Sequence, residues 1–276
     1  MESISIKNLK FNLRTFIKSE LPRAIGKSLP SVLSRTLSGA KLTNTVFLPS
    51  FVNILDGVSM SLERGEMLCI SGKSGAGKSL LLRAIAGLER ASAGEISLFG
   101  EPIKSNEWTA LSMAQKGIGF VFQNSALISD LTVKENIAIP LLYHNIGTDE
   151  EIEQKVNRAL LLMLANDFAN EYPYALSLGM RKRVAVARSW AMDAKILLLD
   201  EPTAGLDRNS RINFLSLMNN LRELYKTTII MVISDLQIAY ETNSKISFLM
   251  DKKLTPPLYF NQLKDSEDQR IRAMAR

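Results

Sequence analysis

The chain has 276 residues, 46% of them hydrophobic and 22% charged, a balance that argues against a disordered or fibrous protein. No apolar run approaches the ~18 residues that cross a bilayer, and Ile196-Leu197-Leu198-Leu199 is typical of the longest. One cysteine, Cys69, leaves no disulfide framework or cysteine-rich metal site and suits a reducing compartment, while one histidine, His144, rules out chemistry that needs two imidazoles.

The net charge of +6 is carried by residues 1–41, which hold eight basic and two acidic side chains. Such a start can face lipid headgroups, nucleic acid or an acidic partner, or form a solvated extension. It also resembles an organelle transit peptide, although lysine exceeds arginine.

In chain order, Ile4-Ser-Ile6-Lys-Asn-Leu9-Lys-Phe11 alternates apolar and polar residues and predicts an edge strand. Residues 12–45 are polar and basic, are broken by Pro22, Gly26, Pro30 and Gly39, and leave room for one short helix. A strand follows at 54–62, a turn at 63–66, and a short apolar run from Met67 to Ser71. Helical spacing runs from Leu80 to Leu88 and stops near Gly87, and strands are predicted at 94–99 and 117–122. Residues 132–180 read as mainly helical: Thr132-Val-Lys-Glu135 has capping-box form, and 149–164 is amphipathic. The β-branched or apolar runs 196–199 and 227–233 suit buried parallel strands, with helices at 178–192 and 209–224. Strand–helix alternation predicts an α/β core with a helical insertion between about 124 and 180.

The most specific local signal is Gly72-Lys73-Ser74-Gly75-Ala76-Gly77-Lys78-Ser79, a complete G-x-x-x-x-G-K-[ST] between an apolar strand and a helix. Its glycines let backbone N–H groups turn toward phosphate oxygens. Lys78 reaches the β- and γ-phosphates, the Ser79 hydroxyl ligates Mg²⁺, and the following helix adds its positive end. This loop reads as a site for a nucleoside triphosphate with Mg²⁺. Ile196-Leu-Leu-Leu199-Asp200-Glu201-Pro202 then puts two carboxylates at the end of an apolar strand. Asp200 is the natural metal partner, and Glu201 is placed to polarise a water in line with the γ-phosphorus.

Asp200-Glu-Pro-Thr-Ala-Gly-Leu-Asp207, preceded by Leu176-Ser177-Leu178-Gly179-Met180 and by Gln123 after Ile118-Gly-Phe-Val-Phe122, resembles the nucleotide-binding domain of ABC transporters over about residues 52–250. The resemblance implies a P-loop ATPase fold with an inserted α-helical subdomain at 124–180 and an antiparallel β edge. The ATPase domain would occupy 1–250, with 12–50 as a basic insertion or N-terminal extension and 251–276 as a C-terminal extension. It further implies ATP and Mg²⁺ as cofactors, and Glu201 as catalytic base. Gln123 would touch the metal or water, and Ser177, Gly179 and Asp207 would meet ATP bound on a second copy. The expected assembly is a homodimer with an integral membrane permease, peripheral on the cytoplasmic face of the inner (plasma) membrane.

The run Gly179-Met180-Arg181-Lys182-Arg183 and, weakly, the segment 266–272 resemble the ATPases of MCE (Mla-type) lipid transporters, which implies phospholipid transport and an MCE-domain partner. Alternatives are the ATPase of another ABC importer or exporter, or a nucleotide-gated dimerising module with little turnover. Nucleic acid is not expected as a partner, since residues 42–276 are neutral and show no aromatic-basic face. The chain departs from the family pattern at three places. Ser234 stands where a switch histidine belongs, which predicts slow hydrolysis. Leu178 replaces the first signature glycine, harmlessly if that residue is helical. The adenine-stacking aromatic is either Phe11 or Phe47.

Overall fold

A computed structural model describes residues 2–20, 45–104 and 106–274, with side chains at 2–12, 52–104 and 106–274. The alternation at the start builds β1 (Glu2–Glu20), which pairs antiparallel with β2 (Thr45–Glu63). Next come β3 (Met67–Ser71), α1 (Lys78–Ile85), β4 (Ala93–Leu98) and the short β5 (Glu101–Pro102). Strands β2-β1-β4-β5 form one antiparallel sheet, so β1 is an interior strand and not the expected edge. Alternation reveals that one face is buried; it carries no information on how many neighbours a strand has. The close approach of β4 depends on Gly94, where a Cβ would lie 2.6 Å from Leu9 Cα and φ is +115°.

The antiparallel pairing also continues past Phe11, through Leu13↔Val52 to Glu20↔Thr45, so both strands are longer than predicted. The short helix expected within 12–45 has no place in 12–20, which is strand; 21–44 lie outside the described residues.

The remainder supplies α2 (Ala110–Gln115), β6 (Ile118–Val121), α3 (Val133–Tyr143), α4 (Asp149–Leu162), α5 (Leu178–Trp190) and β7 (Ile196–Asp200). Then follow α6 (Arg208–Tyr225), β8 (Thr228–Val232), α7 (Gln237–Glu241) and β9 (Lys245–Met250). The chain closes with β10 (Lys253–Leu254), β11 (Leu258–Tyr259) and α8 (Gln269–Met274). The second sheet has the order β10-β9-β3-β8-β7-β6, with β11 also on β9. Its five strands β9, β3, β8, β7 and β6 are mutually parallel.

Because both faces of a parallel sheet are covered, its strands read as unbroken apolar runs. Leu68 and Ile70 of β3, Ile196 and Leu198 of β7, and Ile230 and Val232 of β8 pack with α1 and the antiparallel sheet. The alternate residues Cys69, Leu197, Leu199, Ile229 and Met231 pack with α3 to α6 on the opposite face. The helices of 124–180 therefore all lie on one side. Thr132 with Glu135 forms the reciprocal capping box that the sequence indicates, and Thr148 with Glu151 forms a second one. Parallel strands deliver all their C-terminal ends to one edge of the sheet, where ligands of open α/β sheets bind.

Candidate functional site

Three segments converge at that edge: the loop after β3, the carboxylates after β7 and the serine after β8. The loop enters α1 through Gly77, at φ +101°, which has no side chain to cap the helix. A Cβ at Gly77 would also sit 2.8 Å from the Ile54 side chain. In contrast, α3, α4, α5 and α6 are capped by Thr132, Thr148, Ser177 and Asp207. The first-turn N–H groups of α1 are thus left for an outside acceptor, the arrangement that favours an anion. Lys78 Nζ donates to the carbonyls of Gly72 at 2.8 Å and Lys73 at 3.1 Å, which holds its charge at the loop mouth. Gly72 and Lys73 lead in from β3, and Ala76 closes the turn by donating its N–H to Lys73 O at 3.2 Å.

Ser79, in the first turn of α1, donates to Asp200 Oδ1 at 2.8 Å. Asp200 is only 6% exposed, so two oxygen donors meet at a nearly closed strand end. Hard oxygen donors of this kind, few in number and beside room for phosphate, fit Mg²⁺, which keeps several of its waters. Next along the chain, Glu201 takes φ +44°, an uncommon conformation for a residue with a side chain. Its N–H donates to Val232 O at 3.1 Å, and its Oε2 accepts a 2.7 Å bond from Ser234 Oγ. Gln123, Glu201, Lys78, Ser79, Ser74 and Gly75 line one cleft of about 580 Å³, which Phe11 and Ile54 also line.

Gln123 follows β6 and is exposed, while its backbone carbonyl accepts a hydrogen bond from Lys182 of α5. Lys182 is 1% exposed. Burial lowers the pKa of its ammonium, and the charges of Asp200 and Glu201 oppose that shift.

The family model for the ABC transporter matches residues 55–204, more than half of the chain. A probable sulfate/thiosulfate import ATP-binding protein, CysA, of Chlorella vulgaris is 40% identical over 201 residues, covering 72% of this chain and 82% of that protein. The chain belongs to the ABC transporter family. The methionine import ATP-binding protein MetN of Campylobacter jejuni is 37% identical, over 71% of this chain and 63% of that protein. The Legionella pneumophila (strain Lens) MetN is 32% identical, and the chain again spans slightly under two thirds of it, 64%. Among solved structures, the ATP-binding cassette MJ0796, as a dimer in a post-hydrolysis state bound to ADP and Pi, superposes with a TM-score of 0.70 at 26% identity, over 93% of this chain and 98% of that one.

Within this ABC domain the signature segment lies away from the cleft. Ser177 caps α5 by accepting from Met180 N–H at 3.2 Å, which leaves its own hydroxyl proton free to donate. Gly179 follows in the first turn and packs 3.4 Å, from its would-be Cβ, against Ser210 of α6. Asp207 caps α6 by accepting from Ser210 N–H at 3.0 Å, and the hydrogen bonds from Ser210 pull its pKa below the ordinary carboxylate value. The structure thus brings Ser177, Gly179 and Asp207 onto one face and Glu201, Ser234, Asp200, Ser79 and Gln123 onto another. Leu178 opens α5 without a positive φ and rests over Gly205, 2.9 Å from its would-be Cβ. A side chain is therefore tolerated there.

Phe11 lines the cleft, in register with Leu55. Phe47 sits opposite Lys18, eight residues of strand from Leu55, roughly 26 Å along an extended strand. His144 ends α3 with its ring edge-on to Tyr143, outside the cleft. Ser234, at the place expected of a switch histidine, reaches the Glu201 carboxylate with its hydroxyl. Two contributors have no motif to reveal them. Arg211 on α6 pairs with Asp235 at 2.7 Å and Glu241 at 2.8 Å and so fixes the segment after Ser234. Lys182 is visible in the sequence only as one charge in a basic run.

Proposed function

We propose that the chain is the ATP-hydrolysing subunit of an ABC transporter, working as a homodimer on a separate membrane permease. The loop 72–79 cradles the triphosphate, with Lys78 against the β- and γ-phosphates. Ser79 and Asp200, with Gln123, would hold Mg²⁺, which would supply charge neutralisation on the phosphate oxygens. Glu201 takes the proton of the attacking water. Ser234, donating to Oε2, fixes the orientation of that carboxylate. Phe11 stacks on the base, and Ser177, Gly179 and Asp207 approach ATP held by the second copy. The observation that carries the reading is the Glu201 carboxylate, held 2.7 Å from Ser234 at the wall of the cleft that Lys78 and Ser79 line.

Phosphate release and fluorescent-nucleotide binding by the purified chain and by Glu201→Gln test it. The variant should bind MgATP as wild type does and lose ~10²–10⁴-fold in rate, the worth of a general base. Turnover that ignores Glu201 would leave only a nucleotide-gated dimerising module, and no affinity for MgATP would remove the proposal altogether.

For the cargo, the relatives named for sulfate/thiosulfate and methionine import support a small-solute importer. The lipid reading, with an MCE-domain partner, rests on the run Gly179 to Arg183. Its basic side chains are engaged internally: Arg181 holds Leu176 O at 2.8 Å, Lys182 holds Gln123 O, and Arg183 holds Leu164 O at 2.9 Å and lies over the Phe168 ring. Those bonds give the run a packing role whatever the cargo, so importer is the first reading. Genes beside this one decide: a solute-binding protein supports import, an MCE-domain protein supports lipid. Among the described residues no helix is long and apolar enough to cross a membrane. Action on a permease from the cytoplasmic face of the inner membrane accords with that.

A further inference from the structure

The residues just before and after Gln123 are held from behind by one helix, through main-chain carbonyls. Ser189 Oγ donates to Phe120 O at 2.8 Å. Lys182 Nζ donates to Gln123 O, and Arg188 reaches Ser125 O at 3.0 Å and Ala126 O at 2.8 Å. Ser125 and Ala126 both adopt positive φ, +64° and +46°, so this turn is not one the backbone takes without outside support. Lys182 and Ser189 are two helical turns apart, about 10 Å along α5, and therefore lie on one stripe of it. The N-terminus of that helix is the Ser177–Gly179 turn.

We propose that Lys182 is a positioning residue for Gln123: by anchoring the Gln123 carbonyl to α5, it sets the direction in which the exposed Gln123 side chain enters the cleft and ties that direction to the Ser177 end of the helix. The inference rests on the proposed ATP hydrolysis. A carbonyl fixed by a donor on a rigid helix fixes the peptide plane, and the side chain can then vary only in its own rotamers. A displacement of about 1 Å at a reacting centre costs up to ~10²-fold in rate. Lys182 itself is buried behind the loop and does not line the cleft, so it acts through Gln123.

The test compares the full chain with Lys182→Met and Lys182→Arg in steady-state phosphate release, fluorescent-nucleotide binding and thermal melting. Lys182→Met should lose at least about tenfold in kcat with KM for MgATP within about threefold, and nucleotide binding should stay unchanged. Lys182→Arg, which keeps the donor, should recover most of the lost rate. The inference is overturned by unchanged kcat in Lys182→Met. It is equally overturned if kcat, nucleotide affinity and melting temperature fall together and Arg does not rescue. If the Met chain does not fold, Lys182→Gln is read instead. Its neutral N–H donor should hold kcat within about threefold, whereas a tenfold loss would assign the effect to charge and sink the positioning bond. Wild-type protein without MgATP turnover would instead remove the proposed function, which separates the two failures.

Discussion

Ser234 donates to Glu201 Oε2 across 2.7 Å, and this one bond links the ends of two neighbouring strands, β7 and β8. A hydrogen bond to a charged group is worth roughly 1.5–3 kcal/mol, so Ser234→Ala should slow phosphate release about tenfold or more with little change in nucleotide binding. Ser234 is nonetheless a short neutral group, and Ser234→His should raise kcat above wild type; a rate equal to or below wild type would show that the hydroxyl is no handicap. At this scale the sequence was a good guide to chemistry and a poor guide to conformation. Lys78, Ser79, Asp200 and Glu201 are legible because a motif names residue types at fixed spacing. The left-handed backbone of Glu201 depends on what packs around it, and its residue type does not announce it.

Among the elements, the best-read strands are β3, β7 and β8, each found within a residue or so of the apolar run that predicted it. A strand buried on both faces has no choice of side, so composition alone identifies it. The start of α3 was equally legible, because a capping box is a purely local device, while α4 was read from its amphipathic period. β1 was misplaced at an edge because its second neighbour, β4, joins from more than eighty residues away. That joint gives a stability prediction. Gly94→Ala would push a methyl to 2.6 Å from Leu9 Cα at a φ of +115°. Strain and overpacking together should cost about 2–4 kcal/mol, read as a lower midpoint in urea. A loss below about 1 kcal/mol would mean that β4 shifts freely on β1.

On the scale of the whole molecule, the two faces assembled by the fold make a testable pair. Ser177, Gly179 and Asp207 lie apart from the cleft that holds Lys78 and Glu201. The proposed function joins the two faces over one nucleotide by means of a second copy. With MgATP, Glu201→Gln should run as a dimer in light scattering and as a monomer without nucleotide. Adding Ser177→Asp keeps a good helix cap but sets a negative charge toward the γ-phosphate, so the dimer should be lost with the melting temperature unchanged. A dimer that survives this change would show that Ser177 does not face the nucleotide. Short-range order in this chain, its phosphate loop, buried strands and helix caps, is written in runs of ten residues or fewer, because backbone geometry and side-chain period act over that distance. What joins Ser234 to Glu201, Lys182 to Gln123 and Leu178 to Gly205 acts across gaps of 33, 59 and some 27 positions, set by the order of strands in the sheet and the helix laid across them. Those meetings are products of packing, since residues distant along the chain become neighbours only when the sheet's C-terminal edge is assembled.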